Sequence, residues 1–313
     1  MDIDQIFTSA FLITWLAASI RLAGPVLLAA LGETFGELSG VLNVGIEGTI
    51  VLGALASFLI SFLYGNPWLG LLGGILVGMI FSLFLAWMYI DVKASQVVVG
   101  IVFNTLALGV ASYAYRVALG EQATPQKAAM LGTVNIPGLS ELPFLGPVLF
   151  SHSILVYVTF ALVLVSGFVL YRTKFGLKLR AVGEHPRAAD TAGINVRRMH
   201  YVGVLLSGAA AGMAGAYIIL AQLGMFRDNI VSGRGFIALA IVIFGRWNPY
   251  KAALAALAFG AADALQLSLQ IFNFGLPPQL LLSLPYVLTI LAMSGLVGKA
   301  ISPAALMTPY NKE

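Results

Sequence analysis

Three glutamates fall close together in a chain of 313 residues that holds only 13 Asp and Glu in all. Glu33, Glu37 and Glu47 surround the run LSGVLNVGIEG, and Asn43 and Glu47 stand four residues apart, on one face of a helix if the helix has begun by then. An ionisable group inside a membrane span is costly and turns toward the bundle interior or toward water, so one use for this cluster is the polar lining of a solute pathway. The other use is structural. Glutamates near a membrane interface can cap or lock helix ends, and Gly40, Gly45 and Gly48 would permit the tight turns that this requires. Asn104, Gln222 and Asp263 are further polar residues in apolar surroundings, each able to line a pathway or to hydrogen-bond one helix to another. The candidate pathway set is therefore Asn43, Glu47, Asn104, Gln222 and Asp263. Arg21, in AASIRLAGP, either pairs with one of the glutamates or snorkels to an interface.

A second concentration of chemistry is LRAVGEHPRAADTAGINVRR, residues 179–198. Pro186 suits the first position of a helix, where its missing N–H would have no partner anyway. Gly193 supplies the left-handed stop. Between them PRAADTA makes a helix of about two turns, too short to be stable alone, so it needs a surface to dock on. Its small-residue face, Ala188, Ala189 and Ala192, suits a groove on another protein, while the preceding basic TKFGLKLRAVG suits an anionic lipid surface.

Other chemistries are excluded. The nearest approach to a phosphate-binding loop, GLVGKA at 295–300, has the wrong spacing and lacks the hydroxyl residue, so ATP is not expected on this chain. His152, His185 and His200 are scattered, with no HExxH, so no metal site is expected. The chain has no cysteine, which removes disulfides and thiol nucleophiles, and no Ser, His and Asp grouping announces catalysis. No catalytic residue and no bound cofactor are therefore predicted.

The elements that must position these residues are membrane helices. The chain is 59% hydrophobic and 10% charged, with a mean hydropathy of +0.94, beyond what a soluble core absorbs. The spans must satisfy their own backbone hydrogen bonds, and each needs about 20 apolar residues. An all-α integral membrane bundle follows, a single transmembrane domain over 1–313. Hydropathy places about nine spans, within a range of eight to ten, at 6–31, 44–64, 68–90, 95–118, 147–171, 199–223, 235–246, 250–271 and 278–298. The seventh is about half a span, either extended by preceding polar residues or a re-entrant half-helix. No basic residue precedes the first apolar run, so that run is expected to stay as a helix rather than be cleaved. Small residues at intervals of four, Gly70, Gly74 and Gly78 and again Gly208, Gly212 and Ala216, predict close helix packing. No internal repeat is evident.

Orientation follows from the basic residues. With 172–198 on the cytoplasmic side, the outer loops hold only Lys127, Arg227 and Arg234, while the rest of the loop Lys and Arg lie inside. The N-terminus is then outside and the C-terminus cytoplasmic, with 120–146 forming a small exterior segment. The basic excess reads as topology and lipid contact, with no nucleic acid as partner.

The run GLKLRAVGEHPRAADTAGINV resembles the cytoplasmic coupling loop of permease subunits of bacterial ABC importers, the family of branched-chain amino acid, ribose and simple-sugar permeases. ALGETFGELSGVLNVGIEGTIVLGA at 30–54, VVVGIVFNTLALG at 97–109 and GRGFIALAIVIFGRWNPYKAALAALAFGAADALQ at 233–266 are similar to further parts of its nucleoside and simple-sugar branch, and the segment at 124–150 to that of bacterial nucleoside importers. Lys127 departs from that pattern, where a leucine would be expected. The resemblance implies docking to an ATPase subunit through Gly183, Glu184, His185, Pro186, Arg187, Ala188, Ala189 and Gly193. It also implies ATP and Mg on that partner, a second permease chain in a heterodimer, an extracytoplasmic solute-binding lipoprotein, and residence in the bacterial cytoplasmic membrane. Nucleosides are the expected solute, with ribose-like sugars or branched-chain amino acids as alternatives. An ion-coupled secondary transporter, using Arg21, Glu47 and Asp263, is the alternative of another class.

Overall fold

The computed structural model describes residues 9–120, 126–272, 301–311 and the isolated positions 279, 280, 283 and 287. The chain runs through α1 (Ser9–Leu38), α2 (Ile46–Tyr64), α3 (Pro67–Ala86, continued by a π-helical turn Trp87–Asp91) and α4 (Gln96–Leu119). Then come β1 (Thr133–Asn135), α5 (Leu145–Leu149), β2 (Ser151–Ser153), α6 (Ile154–Arg172), α7 (Lys174–Glu184) and α8 (Pro186–Thr191). The last described elements are α9 (Val196–Tyr217, continued by a π-helical turn Ile218–Leu223), α10 (Arg234–Phe244) and α11 (Pro249–Phe272).

Among the described residues, seven helices are long and apolar enough to cross a membrane: α1, α2, α3, α4, α6, α9 and α11. The half-length seventh run of the sequence forms α10, 11 residues, which at 1.5 Å per residue covers about half of a hydrocarbon core roughly 30 Å thick. The span expected at 278–298 lies outside the described residues. Two boundaries differ from expectation. α1 continues past residue 31 to Leu38, carrying Glu33 and Glu37 inside the helix, and every residue from Ala23 to Leu38 is buried. The span expected from 147 starts at Ile154 instead, because Ser151–Ser153 pairs antiparallel with Thr133–Asn135 in the register Thr133 to Ser153. Among the described residues, this two-stranded ribbon is the departure from a wholly helical fold.

Side-chain caps mark several helix starts. Asn66 accepts the Trp68 N–H ahead of Pro67, Thr173 accepts the Gly176 N–H, and Asn195 accepts the Arg198 N–H. α2 and α9 are the most buried of the seven long apolar helices, and the glycine stripes of α3 and α9 face each other. A Cβ on Gly212 would strike the Gly74 carbonyl oxygen, and one on Gly78 would strike that of Gly208, so the two backbones touch. The opposite faces of α3 and α4 are apolar and open: Leu72, Leu76, Ile80, Val98, Val102 and Leu106 are each more than half exposed, as suits lipid or another membrane chain.

The two ends of α9 mark two faces of the bundle. α7 and α8 lie at its start, and 301–311 packs on the same side, with the Ala305 N–H donating to the Gly183 carbonyl at 2.9 Å. The segment leading to the ribbon lies at the far end, where the Ala128 and Leu131 N–H groups donate to the carbonyls of Gly224 and Leu220, both at 2.8 Å.

Candidate functional site

The half-helix α10 is held at both ends by glutamates from other helices. Gly233, at φ +83°, precedes it. The Gly233 N–H donates to Glu47 Oε1 at 2.7 Å and the Gly235 N–H donates to Glu47 Oε2 at 2.6 Å. The first turn of a helix leaves its N–H groups unpaired and carries partial positive charge, so a carboxylate there satisfies both needs. Gly235 makes the approach possible, since a Cβ there would lie 2.7 Å from the Glu47 backbone. Beyond the other end, Arg246 and Trp247 adopt φ +53° and +56°, and the Trp247 indole N–H donates to Glu37 Oε2 at 2.7 Å.

Glu33, one turn before Glu37 on α1, closes the link between α1 and α2. The Asn43 N–H donates to its Oε1 at 2.7 Å and the Ser207 hydroxyl of α9 donates to its Oε2 at 2.6 Å. The Asn43 side-chain amide also donates to Ser207 Oγ at 3.2 Å. Asn104 of α4 ties down the start of α2, donating to the Val44 carbonyl at 2.9 Å and accepting the Gly48 N–H at 2.8 Å. The structure thus gathers Asn43, Glu47 and Asn104 around one junction, all three buried.

Gln222 and Asp263 do not join that junction. Gln222 donates to the Arg21 carbonyl at 2.8 Å, as does the Tyr217 hydroxyl at 3.1 Å. The Arg21 residue itself is exposed, and Glu33 and Glu47 spend both their oxygens on other donors. Asp263 is half-buried on α11 and lies within electrostatic reach of Arg234 at the start of α10, as does Glu47. Ser207 and Trp247 were not singled out in the sequence. An indole N–H in an apolar run is a group that seeks an acceptor when buried, and Trp247 is buried.

The second cluster is the α7–α8 surface. α8 forms as the sequence predicts, with Pro186 at its first position and Gly193 at φ +79° after it. Glu184, His185, Arg187, Ala188 and Gly193 are exposed and Pro186 is half-buried. Gly183 and Ala189, by contrast, are buried within this chain. A Cβ on Gly183 would strike the Leu38 carbonyl oxygen at the end of α1, so this glycine permits α7 to touch α1. Ala189 packs with Val182 and Val196, so the small-residue face is divided, with Ala188 and Ala192 outward and Ala189 seating the helix.

Among the described residues, seven helices long and apolar enough to span a membrane, a half-length helix held by buried carboxylates and a capped short helix on one face make this a multi-pass membrane protein of the transport type. A family model described as the branched-chain amino acid transport system / permease component matches residues 15–293, and the chain belongs to that family. Guanosine ABC transporter permease protein NupQ of Bacillus subtilis is 40% identical, covering 100% of this chain and 99% of the relative. Nucleoside ABC transporter permease protein NupC of Lactococcus lactis is 37% identical, over 92% of this chain and 93% of its own. A Haloferax volcanii protein, provisionally named as a glucose ABC transporter permease, is 35% identical over 95% of this chain and 97% of its own. No solved structure matches the chain. Family membership makes the chain the permease component of a transport system, a transport subunit rather than an ATPase.

Proposed function

We propose that this chain forms one half of the membrane pathway of an ATP-driven importer of nucleosides. The observation that carries the solute is the identity of 40% with a guanosine permease along the whole of both chains. A nucleoside is neutral and rich in hydrogen-bonding groups, which agrees with spans that hold few charges. The relative named for glucose, at 35% identity, keeps a sugar as the second reading.

In this reading the α7–α8 surface faces the cytoplasm and docks an ATPase subunit through Glu184, His185, Pro186, Arg187, Ala188 and Gly193, and ATP and Mg bind on that partner. The N-terminus lies outside, 301–311 lies inside with α7 and α8, and the ribbon segment faces the exterior. α10 covers only the cytoplasmic half of the membrane, and Trp247 after it sits beside Glu37 at the inner end of α1. A second, similar permease chain completes the pathway, an extracytoplasmic lipoprotein delivers the solute, and the assembly sits in a bacterial cytoplasmic membrane. Asn43, Glu47, Asn104, Gln222 and Asp263 serve the pathway chiefly by holding its walls. An ion-coupled mechanism is disfavoured because Glu33 and Glu47 already accept hydrogen bonds at both oxygens.

The test is uptake of radiolabelled guanosine, ribose and leucine by cells expressing this chain with its operon neighbours, with and without ATP depletion. ATP-dependent uptake of guanosine alone supports the proposal. Uptake of ribose or leucine discards the solute, and uptake that survives ATP depletion but stops with an uncoupler discards the mechanism.

A further inference from the structure

The segment 301–311 lies across the α7–α8 surface and is bound there from one end to the other. The Ala304 N–H donates to Glu184 Oε2 at 3.3 Å, the Ala305 N–H donates to the Gly183 carbonyl at 2.9 Å, and the Met307 N–H donates to the Gly40 carbonyl at 3.0 Å. Further on, the Tyr310 hydroxyl donates to Asp190 Oδ2 of α8 at 2.9 Å, and the Lys93 ammonium donates to Asn311 Oδ1. Leu306 packs on the main core, and Tyr310 packs on the small cluster of Val182, Ala189 and Val196 that seats α8. One short segment therefore touches α7, α8, the α1–α2 link at Gly40 and the α3–α4 link at Lys93.

α8 is also seated by Ala189 against Val182 of α7 and Val196 of α9. It is six residues long, too short to keep its own shape, and only Ala189 among its residues is buried. The segment 308–310 also walls a cavity of about 630 Å³ together with Asp91, Lys93 and Arg197, so α8 does not pack directly on the α3–α4 link across that gap. A force applied to α8 reaches the α3–α4 link through Tyr310 and Asn311. It reaches the α1–α2 link through Met307, and that link carries Asn43, which is locked to Glu33.

We infer that Ala304–Asn311 is a strap that positions the coupling helix α8 and moves with it as one body, passing its displacement to the α1–α2 and α3–α4 links; Tyr310 is the positioning residue at its contact with α8. The inference rests on the reading of α8 as the ATPase-docking helix. Coupling between distant elements can be carried by packed side chains and hydrogen bonds that link them, and the strap supplies such a connection between α8 and the α3–α4 link, whereas α7 already touches the end of α1 at Gly183.

The test uses the assembled transporter, with its ATPase, second permease and binding lipoprotein, in proteoliposomes. A chain ending at Pro303 retains the exposed α8 residues. The ATPase is expected to co-purify with it, while solute taken up per ATP hydrolysed falls about tenfold. An unchanged ratio overturns the strap. A second variant covers the case in which the shortened chain does not assemble. Asp190→Cys with Tyr310→Cys, in a chain with no other cysteine, is bridged by a short bis-maleimide. The double variant lacks the Tyr310 contact and is expected to take up less solute; if strap and α8 move as one body, bridging restores uptake toward wild type. Uptake that bridging leaves low or lowers further, with the singly substituted chains unaffected by the reagent, overturns the inference. Failure of the docking reading is separate: Ala188→Arg with Arg187→Glu, on the exposed face of α8, would then leave ATPase co-purification intact.

Discussion

The Glu47 carboxylate of α2 accepts the N–H groups of both Gly233 and Gly235, so a buried acid from one helix closes the start of another, the 11-residue α10. Glutamine at this position keeps the size but offers one acceptor oxygen and sets its NH2 against a backbone donor. Glu47→Gln is expected to cost about 1.5–3 kcal/mol at this contact. The check is thermal stability of the detergent-solubilised complex together with uptake; a variant that matches wild type in both would show that the carboxylate does not hold α10.

At the other end of α10, Trp247→Phe removes the indole donor and strands Glu37 Oε2 in the core. The expected loss is about 1–3 kcal/mol. Glu37→Gln should cost less, because its neutral amide oxygen can still accept the indole N–H. Adding Glu37→Gln to Trp247→Phe should then cost less than the two changes apart, since each acts on the same contact. Strict additivity would contradict the pairing.

Helix packing gives a contrast between two glycines. Gly212→Leu drives a side chain into the α3 backbone, and folded protein recovered from membranes should fall severely. Gly109 of α4 has open space where a Cβ would go, so Gly109→Ala should leave expression and uptake near wild type. Equal tolerance at both sites would be inconsistent with the contact between α3 and α9.

Proline at Ala189 removes the N–H that donates to the His185 carbonyl at 3.0 Å and breaks α8 at its one buried residue. Membrane insertion should survive and ATPase co-purification should be lost. Glu184→Ala, at an exposed position, should weaken co-purification less. Normal co-purification with Ala189→Pro would argue that the ATPase docks elsewhere.

Sidedness can be read with single cysteines. Thr191→Cys, after α8, and Gln126→Cys, beside the far end of α9, should react with an impermeant maleimide from opposite faces of the membrane. Labelling of both in intact cells would overturn the proposed orientation.

Much of this molecule was legible because its signals are local. Apolar run length against bilayer thickness predicted the spans and marked α10 as half of one. Pro186 and Gly193 bracketed α8, since a missing N–H and a left-handed backbone act within a single turn. The boundary of α6 was missed because the apolar residues near 147 gave no hint that Ser151–Ser153 would pair with a strand some twenty residues earlier in the chain.

The polar sites divide differently. Sequence alone determined that Glu33, Glu37 and Glu47 had to be buried in a bundle or placed at an interface, and it left both a pathway lining and a structural lock open. Only tertiary structure supplied their partners: those of Glu47 are 186 and 188 residues away and that of Glu37 is 210 residues away. The same holds for 301–311, an unremarkable tail in sequence that crosses α8 by a hydrogen bond between residues 120 apart. Helix propensity and hydropathy act over a few residues and can be summed along the chain. A hydrogen bond between distant segments exists only once packing has brought donor and acceptor together, so no local pattern announces it.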